Sequence, residues 1–167
     1  MYIHDTYFIV AHLHYVLFGG SLFAIFGAIT FWYPKMFGRM MNPFWGKVHF
    51  WLTMAFYNLT FFPMHTLGLF GHMRRIYDPT RYDFLKPIQP LNEFISISAF
   101  LLFATQIIFA LNFILSWFYG KEAGRNPWND TGLEWTTPSP APHGNFERTP
   151  TVYHGPYEFS TDRKSVV

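Results

Sequence analysis

"HDTYFIVAHLHYV", residues 4–16, decides how the chain is read. It carries His4, His12, His14 and Asp5, and a run without charge begins inside it. As a strand it would set His12 and His14 on one face. As a helix, at ~100° per residue, it sets them ~200° apart. A strand spanning so apolar a run needs a closed barrel, and the alternation of a barrel strand is missing. The segment is therefore read as a helix, on which one metal ion cannot be held by both histidines.

Outward from this stretch, three windows contain no Asp, Glu, Lys or Arg: Tyr7 to Tyr33, Val48 to Met73, and Phe94 to Gly120. Each exceeds the ~20 apolar residues that carry a helix across a bilayer. The expected fold is an all-α membrane protein of three transmembrane helices with an extended C-terminal tail. Composition agrees, since 22% of residues are aromatic and only 13% charged, against about a quarter charged in soluble domains. Residues 1–119 read as the transmembrane segment. Residues 120–167, rich in Pro and Gly, read as an extramembrane tail.

Local signals set the expected boundaries. Asp5 or Thr6 is suited to cap the first helix, which is expected to end before Pro34. Asn42 and Pro43 mark the start of the second, with a kink expected at Pro63. Residues 70–93 read as a long charged loop, with Asn92 capping the third helix, which ends near Gly120. Lys35, Arg39, Lys47, Lys121 and Arg125 on one side nearly balance Arg74, Arg75, Arg81 and Lys86 on the other. The positive-inside rule therefore does not orient the chain.

Several function classes drop out. A net charge of +2 without a basic run gives no case for nucleic acid. Without cysteine, disulfides, thiolate metal sites and a thiol nucleophile are excluded, and metal ligands must come from His, carboxylate or Met. There is no basic region ahead of the first apolar run, so that run is not read as a signal peptide. The chain opens at a membrane boundary, as if cut from something longer.

Polar residues inside the spans are informative. His49 and His65 suit hydrogen bonding to a neighbouring helix. For His12 and His14 two readings stand side by side: two interhelical hydrogen bonds, or two metals on opposite sides of one helix. Haem iron takes one or two axial ligands, commonly imidazole, so two haems flanking a helix fit that spacing. Arg74 and Arg75 fit solvation, lipid phosphate or haem propionates. His4 and Asp5 fit either the polarity of a helix start or two ligands of a divalent cation.

"HDTYFIVAHLHYV" followed by "KVHFWLTMAFYNLTFFPMHTLGLFGHMRR" resembles the C-terminal third of subunit I of the haem-copper oxygen reductases, the family of bacterial cytochrome c oxidases. The likeness covers residues 2–119, and "LEWTTPSPAPHGNF" in the tail looks similar too. The resemblance implies that His12 is the proximal ligand of the high-spin haem and His14 an axial ligand of the low-spin haem. It implies that His4 and Asp5 hold magnesium, and that Arg74 and Arg75 hold the haem propionates. His72 is left structural. No catalytic residue is assigned.

The same resemblance implies the last three helices of a twelve-helix bundle. The implied cofactors are two haems, of a type in preference to o, and magnesium. Copper B belongs to the full subunit, with ligands outside this chain. The implied partners are the remaining helices of subunit I, subunits II and III, cytochrome c as electron donor, and the lipid bilayer. The implied location is the bacterial inner membrane with the tail in the cytoplasm. The implied activity is electron transfer from low-spin to high-spin haem and reduction of oxygen to water, coupled to proton translocation. Because the copper ligands and proton channels belong to earlier helices, the isolated chain is expected to be inactive. Two other readings remain: a small membrane b-type cytochrome or haem-binding module, and an inactive remnant without cofactor.

Overall fold

The computed structural model describes residues 3–146 and 149–151. Those parts of the expected tail that fall at 147, 148 and 152–167 lie outside the described residues. The described chain is helical, with two isolated β-bridges and no strand. The first long helix is built of α1 (Tyr7–His14), a π-helical stretch (Tyr15–Leu22) and α2 (Phe23–Phe37). The second is α3 (Pro43–Leu69) and the third α4 (Gln89–Tyr119). The first and third are long and apolar enough to cross a membrane. Their apolar windows are only 6% and 22% buried, which separates them from the core helices of a soluble protein. The 27 residues of α3 suffice in length, but His49, Thr53, Asn58, Thr60 and His65 make it more polar than the other two.

The contacts sort the chain into two compact units, one built from Met1–Gly27 and Pro43–Asn112, the other from Ala28–Asn42 and Phe113–Val167. In the first unit, Leu67, Leu85, Ile88 and Ile95 form one buried cluster. Tyr57, Phe61 and Leu102 form a second, against which Tyr15, Phe18 and Phe23 pack. Gly68 permits the closest approach of α1 and α3, because a Cβ there would lie 2.1 Å from the Phe8 amide nitrogen. Gly19 does the same for the π stretch, where a Cβ would meet the Tyr57 hydroxyl at 2.7 Å. Several of the polar exceptions pair across helices, as an apolar surround favours. Tyr15 donates to Asn58 Oδ1 at 2.7 Å. Gln106 on α4 binds Thr53 and Thr105 through Nε2 and His49 through Oε1.

In the second unit, Lys35 Nζ donates to the carbonyls of Arg125 (2.9 Å), Thr137 (2.7 Å) and Pro138 (3.4 Å) and lies over the Trp135 ring. Trp135 is buried, and Phe31 packs against both Trp128 and Trp135. The described part of the tail is therefore not extended. It is tied down by backbone acceptors and aromatic faces, and it includes a 3-10 turn, Leu133–Thr136.

Two boundaries differ from those the sequence signals. The first helix does not end before Pro34 but runs through it to Phe37. Its stop is Gly38, whose φ of +69° lets its amide close onto the Pro34 carbonyl at 2.8 Å. Burial of Tyr33 and Pro34 compensates the donor that proline lacks. Asn92 does not cap the third helix either. A 3-10 segment, Asp83–Ile88, runs directly into α4, so no extended residue is left there to act as a cap. A second 3-10 turn, Pro79–Arg81, is capped by Asp78, so the 70–93 segment is ordered by local hydrogen bonds.

Candidate functional site

Thr6 caps α1, its hydroxyl accepting from the Phe8 amide at 3.3 Å, and this fixes where the helix carrying His12 and His14 begins. Both histidines lie in regular α-helix, so their ~200° separation holds. His14 is half-buried. Its Nδ1 donates to the Val10 carbonyl at 2.7 Å. A carbonyl only accepts, so the proton sits on Nδ1 and Nε2 keeps its lone pair. The ring stacks on Phe61, centroids 4.4 Å apart. It borders an open groove of about 520 Å³ lined by Leu13, His14, Leu17, Phe18, Ser21 and Ile25 among others. Tyr57 donates to the His14 carbonyl at 3.3 Å, where the π stretch begins.

His12 is exposed. Among the described residues its ring makes no hydrogen bond, ion pair or ring contact. An imidazole with both nitrogens uncommitted, on a helix fit for a membrane, has no internal compensation for its polarity. Interhelical hydrogen bonding, one of the two readings of the sequence, is thus found for neither ring among the described residues.

At the entrance of α1 the two ends of the chain segment meet. The Arg74 amide donates to the Asp5 carbonyl at 2.9 Å, and the Tyr7 amide to the His72 carbonyl at 2.9 Å. Arg74 Nε reaches Asp5 Oδ1 at 2.7 Å. The Arg74 bond holds the Asp5 carboxyl below the usual carboxylate range; partial desolvation opposes this, and the charges of Arg74, His4 and Arg75 add to it. His4 Nε2 stands 3.2 Å from Asp5 Oδ2. Adjacent ligands of an octahedral cation with ~2.1 Å bonds lie about 3 Å apart, so this pair fits two corners of one shell. Among the described residues no third His, Cys, Asp or Glu joins them. Arg75 is exposed at φ +65°, and among the described residues its guanidinium makes no hydrogen bond.

His49 and His65 have structural surroundings. His49 bonds Gln106 of α4, as expected of a polar group bridging helices. His65 instead bonds Phe62 of its own helix at 3.2 Å, while its ring packs on Phe8 and Tyr15. Sequence reasoning missed the Asp5–Arg74 contact and the roles of Phe61 and Tyr57 beside His14. The contact joins residues too far apart in the chain for any local pattern to signal it.

Comparison with known proteins gives a consistent result. The family described as Cytochrome C and Quinol oxidase polypeptide I matches residues 1–101. The chain is 50% identical over 162 residues to cytochrome c oxidase subunit 1 of Synechocystis sp., covering 97% of this chain and 28% of that protein. It is 46% identical over 166 residues to cytochrome c oxidase subunit 1 of Thermostichus vulcanus, covering 98% of this chain and 29% of that one. The alternative cytochrome c oxidase subunit 1 of Bradyrhizobium diazoefficiens is 43% identical over 159 residues, 93% of this chain and 27% of its own length. The chain thus spans somewhat over a quarter of the length of these relatives. With that match over most of its helical part, the chain belongs to the cytochrome c and quinol oxidase polypeptide I family.

Proposed function

We propose that the chain is the haem-bearing part of a terminal respiratory oxidase, in which electrons pass from a low-spin to a high-spin haem and oxygen is reduced to water with proton translocation. It would act with the remaining helices of subunit I, with subunits II and III, and with cytochrome c as donor. Residues 1–119 would lie in the bacterial inner membrane, and 120–167 would form the cytoplasmic tail. Apart from those other helices the chain is inactive. Its cofactors are two haems of a type, magnesium, and a copper whose ligands lie elsewhere.

The observation that carries this reading is the state of His14. A metal-ligating histidine almost always donates its second ring N–H to a carbonyl or carboxylate, which fixes the tautomer and aims the free nitrogen. His14 makes that bond to Val10 and keeps Nε2 available. His12, on the other side of the helix, is uncommitted among the described residues. His14 is assigned to the low-spin haem and His12 to the high-spin haem. Haem, when bound, supplies an iron that accepts and passes on single electrons.

The other residues bind and orient. Phe61 holds the His14 ring in plane by stacking. Arg74 and Arg75 supply guanidinium donors for propionates, with Arg74 already oriented by Asp5. His4 and Asp5 offer nitrogen and oxygen donors to magnesium. The test is an oxidase assembled with this chain carrying His12→Ala or His14→Ala. The first variant should lose the high-spin haem spectrum and the second the low-spin one. A high-spin spectrum unchanged by His12→Ala would overturn the assignment.

A further inference from the structure

His72 is the most deeply buried imidazole of the first unit, at 2% exposure, and no part of the proposed chemistry uses it. Its two nitrogens are both committed. Nδ1 faces the Met73 carbonyl at 3.0 Å, and Nε2 faces the Asn92 side-chain nitrogen at 3.0 Å. The carbonyl only accepts and the amide nitrogen only donates, so the ring is the Nδ1–H tautomer with Nε2 accepting. Asn92 spends its other N–H on Gln89 Oε1 at 2.8 Å, which locks the amide in that orientation. Tyr7 closes the remaining side with an edge-on ring contact, centroids 4.5 Å apart.

The backbone of the same residue is equally occupied. Its amide donates to the Leu67 carbonyl at 3.0 Å, at the end of α3, and its carbonyl accepts from the Tyr7 amide, at the start of α1. One residue therefore joins the end of α3 and the beginnings of α1 and α4. Two residues further on, Arg74 makes its backbone and side-chain contacts to Asp5. Arg75, at positive φ, follows directly and has no hydrogen bond of its own among the described residues. What sets the course of this arginine turn is the anchored residue ahead of it.

We propose that His72 is a positioning residue, a buried neutral imidazole that fixes the Arg74–Arg75 turn in register with Asp5 and so aims both guanidinium groups. The proposal deepens the reading of these arginines as the anion-holding part of the haem site, and it rests on that reading for its functional consequence. A leucine at 72 would fill the space and lose the bonds to Met73 and Asn92. A glutamine would keep an acceptor at the place of Nε2.

The test uses the chain in the assembly purified from its own membrane, as wild type, His72→Leu, His72→Gln, Asn92→Leu and Arg74→Gln. Amide hydrogen exchange at Tyr7 and Arg74 should quicken about tenfold in His72→Leu, the equivalent of one hydrogen bond. Exchange in the middle of α4 should stay unchanged, and His72→Gln should recover most of the difference. If His72→Leu does not assemble, Asn92→Leu breaks the bond to Nε2 by removing its donor instead of its acceptor, and is read in the same way. The midpoint potentials of the haems should move in the same direction in His72→Leu and Arg74→Gln. Unchanged exchange, or potentials that Arg74→Gln moves and His72→Leu does not, would overturn the positioning role. Potentials unmoved by Arg74→Gln would instead overturn the propionate assignment, and the positioning role would then be decided by exchange and its rescue in His72→Gln.

Discussion

Arg74 donates from Nε to Oδ1 of Asp5 at 2.7 Å, joining two residues that stand 69 apart in the chain. The side-chain bond runs beside a backbone bond from the Arg74 amide to the Asp5 carbonyl, so the pair is held at two levels. Asp5 itself sits at φ +57°, a left-handed conformation that an aspartate tolerates when local bonds reward it. The entrance of the first helix and the turn after the second are thereby one structure.

The pairing sets a pH dependence. The Asp5 carboxyl is held below its ordinary value, chiefly by the Arg74 bond. A depressed folded-state pKa contributes stability above the unfolded carboxylate value of about 4 and loses it as pH falls through the lower folded value. Asp5→Asn should therefore be less stable than wild type at neutral pH, and the difference should shrink to nothing in strong acid. Thermal unfolding of both proteins across the acid range checks this, and a difference independent of pH would contradict it.

Gly68 makes a steric prediction. A methyl group there would lie 2.1 Å from the Phe8 amide nitrogen and 2.7 Å from its Cα, backbone atoms that cannot turn aside. Gly68→Ala should cost stability at the upper end of the roughly 1–3 kcal/mol typical of overpacking. The gain in helix propensity, ~1 kcal/mol at most, does not offset it. Gly20→Ala, where a Cβ meets nothing within 4 Å, is the control and should show the propensity gain alone, up to ~1 kcal/mol of added stability. Chemical unfolding of the two variants separates steric approach from propensity.

Much of this architecture is legible in the sequence. The first charge-free window lies within the first long helix, the other two overrun the ends of α3 and α4 by four residues and one, and Pro43 is the start that local signals assign to the second helix. What is not legible depends on partners distant in the chain. Pro34 reads as a stop because its missing donor is a local fact, whereas the burial that carries the helix past it is tertiary. Asn92 reads as a cap because the 3-10 segment feeding α4 has no strong signature of its own. The spacing of His12 and His14 keeps both from one metal ion, but nothing local shows that the His14 ring stacks on Phe61. The Lys35 contacts to the tail are hidden for the same reason, since backbone carbonyls carry no residue code.

The network around Gln106 supplies a third prediction. Its side chain bonds Thr53, Thr105 and the Leu102 carbonyl through Nε2 and His49 through Oε1. Gln106→Leu would leave His49 Nε2 and the Thr53 hydroxyl in an apolar surround with fewer partners. Buried groups so stranded cost about 1–3 kcal/mol each. The double variant Gln106→Leu with His49→Phe should recover part of the loss, because both polar ends are then gone. A double-mutant cycle on unfolding measures it, and additive single effects would show that the two residues are not coupled.

Lys35 makes the last prediction, about the tail. An ammonium has three donors, and those of Lys35 go to the carbonyls of Arg125, Thr137 and Pro138. Charged hydrogen bonds of this kind contribute roughly 1.5–3 kcal/mol where they are shielded from water. Two of the three bonds here are exposed, so the lower end applies. Lys35→Met keeps the aliphatic stem beside Trp135 and removes all three donors. Lys35→Arg keeps the charge, but its planar fork cannot serve three acceptors converging on one point. Both variants should speed limited proteolysis between Arg125 and Pro138 about tenfold, in proportion to ~1.4 kcal/mol of lost local stability. Cleavage elsewhere should be unaffected. Equal protection in wild type and Lys35→Met would show that the aromatic contacts of Phe31 with Trp128 and Trp135 hold the segment without the lysine.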